Sequence, residues 1–119
     1  MHITDFLKHI EFSKVYAKHT VKSYASDLEQ FKQFCIANEF STQTGEVISD
    51  FKILRAWIAQ LSDSGLSNKT INRKISSLKS YYDYLERNNL IDQNPSKKIA
   101  LLHQYKYQLF FQSLQRSTG

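Results

Sequence analysis

At 119 residues, with 41% hydrophobic and 13% aromatic residues, the chain suits one compact domain with a buried core and is too rich in large apolar side chains for a disordered segment. Its formal net charge of +5 points to a polyanion or an anionic surface as partner, and the excess lies late, with five basic residues against two acids over 67–87. No apolar run approaches the roughly 20 residues that a membrane span needs, the first residues lack the order of a signal peptide, and lone Cys35 rules out an internal disulfide.

Read in chain order, the first helix is expected from about Ile3 to Ser13, opened by Thr4 or Asp5, with Phe6, Leu7 and Ile10 on its apolar side and Phe12 at the edge. It should end near Lys14. A second helix is predicted from about Thr20 to Asn38, with Thr20 as cap. There Val21, Tyr24, Leu28, Phe31 and Cys35 recur at steps of three and four, Phe34 widens the stripe, and Lys18 and Lys22 stand at the opening. In this stripe Cys35 reads as a small buried apolar residue and not as a nucleophile. The segment from Glu39 to Gly45 is polar and turn-rich, a loop between helices.

A third helix is expected over about Glu46 to Ser64, where Ile48, Phe51, Leu54, Ile58 and Leu61 mark one face, Trp57 borders it and Gly65 terminates it. The fourth, from about Ser67 to Arg87 or Asn89, carries Ile71, Ile75, Leu78, Tyr82 and Leu85 at steps of four, three, four and three, the core face of a helix. Ser67 or Asn68 can cap it. Its first turns hold Lys69, Thr70, Asn72, Arg73, Lys74 and Ser77 with no acid before Asp83, a surface suited to an anion with many oxygens, beside the positive end of the helix dipole. Read as an open face, this predicts that Lys74→Ala leaves stability within about 0.5 kcal/mol. Arg73 has two readings: a phosphate contact, or a brace paired with an acid of the bundle such as Asp27 or Asp50. The helix should stop before Asn94-Pro95, since proline disfavours helix in the residue before it. Beyond Pro95, Ile99 to Leu102 and Tyr105 to Leu114 either form a further helix or belong to a connection, and Tyr107, Phe110, Phe111 and Leu114 need a partner surface. The four histidines, His2, His9, His19 and His103, have neither HExxH spacing nor a cysteine partner, so neither a metal nor a cofactor is expected.

Three stretches in this order, Thr20 to Phe31, Leu61 to Ser67 and Thr70 to Leu85, and then Leu90-Ile91-Asp92-Gln93-Asn94-Pro95, resemble the N-terminal core-binding domain of tyrosine recombinases, the phage-integrase and Xer-type family. The resemblance covers about 1–95. It implies an all-α, compact four-helix SAM-like bundle over 1–95, with 96–119 as linker or accessory helical tail toward a catalytic domain. It also implies as partners double-stranded DNA, the catalytic domain of the same parent protein and other recombinase protomers, while the lone Cys35 suits a reducing cytoplasm and the lack of a long apolar run gives no membrane partner. In that family the openings of the second and fourth helices approach DNA, which here means Thr20, Lys22, Ser23 and Tyr24 with Ser67, Lys69, Thr70, Asn72, Arg73, Lys74 and Ser77. For Thr20 and Ser67, capping is the competing role.

The chain departs from the family in its chemistry. Tyrosine recombinases cut DNA with a tyrosine assisted by Arg, Lys and His in a C-terminal domain larger than the segment beyond Pro95, and no His-x-x-Arg occurs here. Tyr81, Tyr82 and Tyr84 read as packing and rim residues. The alternative function is a helical protein-interaction module with an incidental basic patch.

Overall fold

The computed structural model describes residues 2–13, 15–40 and 50–99. Among these the chain is all-α, with no strand: α1 (Ile3–Phe12), α2 (Lys18–Ala37), α3 (Phe51–Asp63) and α4 (Asn68–Arg87), with a helical turn over 97–99 after them. The expected aromatic tail at Tyr105 to Leu114 and the apolar position Ile48 lie outside the described residues.

α4 and α2 each touch the other three helices, and α4 supplies the most buried side chains. All five residues of its expected stripe, Ile71, Ile75, Leu78, Tyr82 and Leu85, are buried, and Tyr81 joins them. Each such side chain contributes about 1.5–3 kcal/mol when removed from water. α1 presses Phe6 edge-on against Tyr81, with ring centroids 5.7 Å apart, and the His2 backbone N–H donates to the Tyr81 phenol at 3.2 Å. α2 and α3 meet through Phe31 and Trp57, 5.3 Å apart. Trp57 is thus in the core and not at its border. Its position, three residues after Leu54 and four before Leu61, explains this. Phe12 lies about 200° around α1 from Ile10 and is 84% exposed. Burial pushes the Cys35 thiol up to about 12 and the Tyr81 phenol likewise to about 12, the chemistry of packing groups.

The helix ends obey local rules with three corrections. Ser67 caps α4 as expected, its Oγ accepting from the Thr70 N–H at 3.2 Å. α1 has His2 at its cap position with no side-chain bond, not Thr4 or Asp5. α2 opens two residues before Thr20: Ala17 is the cap residue, without a side-chain acceptor, and Thr20 is already inside the first turn with its N–H bonded to the Ala17 carbonyl. α3 opens at Phe51, later than the expected Glu46, because Asp50 is extended and its carboxylate accepts from the Lys52 N–H at 2.9 Å. At the C-termini, Glu39 (φ 59) and Asn89 (φ 56) take the left-handed conformation. After each comes a residue whose N–H reaches back five positions, Phe40 to Cys35 and Leu90 to Leu85, the Schellman closure.

Packing continues past Pro95. The Asn94 amide donates to Asp83 at 2.8 Å, its oxygen accepts from the Ser96 N–H at 2.9 Å and hydroxyl at 2.6 Å, and Ile99 is fully buried. The chain therefore leaves α4 along a fixed path.

Candidate nucleic-acid interface

Asp27 is the organising residue of the candidate site. It sits on α2 one residue before Leu28, on the stripe that faces α4, and is fully buried. A carboxylate so placed is costly unless its oxygens are filled. Oδ1 accepts from Arg73 Nη2 at 2.8 Å and Lys74 Nζ at 2.9 Å. Oδ2 accepts from Ser77 Oγ at 2.7 Å and Arg73 Nε at 3.2 Å. Four donors occupy the lone-pair positions that a carboxylate has. Burial alone would raise the Asp27 carboxyl, but the hydrogen bonds from Arg73, Lys74 and Ser77 outweigh it and hold the pKa below its ordinary value. The hydrogen bond to Asp27 raises the Arg73 guanidinium further in turn.

The two cations at this carboxylate differ in kind. The Lys74 side chain is 5% exposed, and its ammonium also donates to Gln30 Oε1 at 2.6 Å. The Arg73 side chain is 46% exposed. Its Nε and Nη2 form the side-on pair with Asp27, which leaves three of the five guanidinium N–H donors without a partner among the described residues, two of them on the end-on edge of Nη1 and Nη2. One carboxylate against two cations makes the cluster net positive.

Asp27 lies against Arg73, Lys74 and Ser77, and Gln30 against Lys74, so α2 packs on the first half of α4 around this cluster. One turn before Asp27 on α2 stand exposed Lys22 and half-buried Ser23; one turn before Arg73 on α4 stands exposed Lys69. Ser67 and Asn72 are exposed, while Thr70 and Thr20 are half-buried. Tyr24 is half-buried with its ring 6.1 Å from that of Tyr16.

Two expected contact residues do not lie on the open face. Lys74 and Ser77 are buried, and both are committed to Asp27, because they fall on the inner side of α4 beside Ile75 and Leu78. Arg73 is the brace of the second sequence reading, with Asp27 as the acid and not Asp50, yet it keeps an outward edge. Sequence reasoning missed the exposed Ser26, Gln30 and Ser76 on the same rim. They are uncharged polar residues with no charge signal to mark them.

The described residues form a small all-α bundle in which Lys22 on α2 and Lys69 and Arg73 on α4 are exposed. The family can be stated more closely: the model of the phage integrase N-terminal SAM-like domain matches residues 3–89, and the chain belongs to that family. It is 33% identical over 113 residues to tyrosine recombinase XerC of Lacticaseibacillus casei, a match covering 93% of this chain and 37% of that protein. It is 30% identical over 101 residues to tyrosine recombinase XerC of Bacillus subtilis, covering 85% and 32% respectively. The corresponding protein of Listeria innocua is 34% identical over 90 residues, 76% of this chain and 29% of that protein. The chain thus spans about a third of the length of these relatives. No solved structure matches it. No helix among the described residues is long and apolar enough to cross a membrane.

Proposed function

We propose that this chain is the DNA-gripping domain of a site-specific tyrosine recombinase, holding duplex DNA at the recombination site through the openings of α2 and α4. The observation that carries this reading is the half-exposed Arg73 guanidinium, fixed on one edge and open on the other, with exposed Lys69 one turn before it on α4 and exposed Lys22 in the opening turns of α2. Arginine with a free fork holds a phosphate through two parallel hydrogen bonds. Lys22, Lys69 and Arg73 meet phosphates; Thr20, Ser23, Tyr24, Ser67, Thr70 and Asn72 line the same contact. Lys74 and Ser77 serve it from behind. The chain itself carries no catalysis. The cutting tyrosine and its Arg, Lys and His assistants belong to a C-terminal domain of the parent protein, which acts in the cytoplasm. Phe12 at the end of α1 and Val15 just after it, 84% and 85% exposed, support contact with another protomer on the DNA.

The test is a fluorescence-anisotropy titration of the chain against a labelled duplex at two salt concentrations. With about three or four phosphates neutralised, log K should fall with log salt at a slope of roughly −3 to −4. Affinity unmoved by salt, or no binding at low salt, refutes the reading.

A further inference from the structure

We infer that Asp27 is the positioning residue of this interface: it grips the side-on edge of Arg73 so that the end-on edge is presented, already oriented, to a DNA phosphate. The inference rests on the DNA-contact reading and extends it to a buried residue that touches no ligand. A free arginine on a helix loses rotamer freedom when it binds, and that loss weakens the contact. Here the loss is met on folding. The Asp27 carboxylate is fully buried, and it cannot turn because Lys74 and Ser77 hold both oxygens from behind. Arg73 Nε and Nη2 lock onto it in plane, and the guanidinium's rigid fork then fixes the direction of the opposite edge. Lysine at 73 could not do this, since a single ammonium has no second edge.

The sign of one substitution separates this from simple electrostatics. Asp27→Asn adds one positive charge at the interface, so attraction at a distance alone predicts tighter binding. Positioning predicts weaker binding, because Arg73 is released. The experiment is a double-mutant cycle on the full chain: wild type, Arg73→Ala, Asp27→Asn and the double variant, each titrated against the same duplex below its own melting temperature. Arg73→Ala should lose about 10-fold, the loss expected for one charge-assisted contact. Asp27→Asn should lose several-fold despite its added charge, and the double variant should fall within about 2-fold of Arg73→Ala, the sign of two residues acting as one unit. Equal or tighter binding by Asp27→Asn, or losses that multiply, overturns the inference and leaves the DNA reading standing. No binding by the wild type at low salt overturns both.

Should Asp27→Asn fail to fold, the wild-type protein decides the matter by NMR of the arginine side chains. On adding duplex, the Arg73 Nη signals should move while its Nε–H stays where Asp27 holds it. An Nε–H that shifts to the position of free arginines shows DNA pulling Arg73 away, and the inference fails.

Discussion

Replacing Lys74 tests the architecture of the site most directly, because an open-face reading of α4 and the structure predict opposite outcomes. As a solvated surface lysine it would cost within about 0.5 kcal/mol to truncate. In the structure its side chain is 5% exposed and its ammonium bonds Asp27 at 2.9 Å and Gln30 at 2.6 Å. Lys74→Ala removes three buried methylenes, worth about 2 kcal/mol at roughly 0.8 each. The hydrogen bonds to a charged partner add about 1.5–3 kcal/mol. Against this, the alanine variant is spared about 1.5 kcal/mol of side-chain ordering. Asp27 keeps Arg73 and Ser77, so the full penalty for an uncompensated buried charge does not apply. The net cost is about 2 to 4 kcal/mol, which at about 4–8 °C per kcal/mol for a domain of this size lowers the melting temperature by at least about 8 °C. Thermal melts monitored by circular dichroism at neutral pH measure it, with exposed Lys69→Ala as the control that should stay within about 0.5 kcal/mol of wild type. A Lys74→Ala melt within about 2 °C of wild type would refute the buried pairing.

Glu39, at φ 59 after α2, occupies a conformation that glycine adopts without strain and L-residues only at a cost. Glu39→Gly should raise stability by about 1 kcal/mol in urea unfolding, and a loss would show that the Glu39 side chain contributes more than its backbone costs. Acid should loosen the α2–α4 joint through Asp27. A carboxyl held below its ordinary value, near 3.8, adds stability that is complete above that value and is lost as pH falls through the lower folded-state pKa. Melts from neutral pH into the acid range should therefore show Asp27→Asn far less stable than wild type at neutral pH and the gap narrowing only below about pH 4. A constant gap across that range would mean that the Asp27 charge contributes nothing.

The helices were legible in the sequence because a stripe at steps of three and four has few other ways to be buried, which is how Ile71, Ile75, Leu78, Tyr82 and Leu85 marked α4 without ambiguity. Helix starts were less legible where no side-chain cap exists. α2 begins at Lys18 on Ala17, which offers no side-chain acceptor, and the nearest hydroxyl, Thr20, lies inside the first turn. The site was half legible, and the reason lies in helical phase. Arg73 and Lys74 look alike by charge but stand about 100° apart around the helix. Lys74 comes three residues after Ile71 and four before Leu78, which puts it on the apolar stripe, while Arg73 falls at the rim. The same count on α2 places Asp27 three residues after Tyr24 and four before Phe31, again on the stripe. An acid and a lysine each in phase with the buried face of its own helix imply a pair closed between the helices, since neither can be buried alone at tolerable cost. Charge type marks this surface as basic; phase tells which cation faces outward and which one holds the helices together.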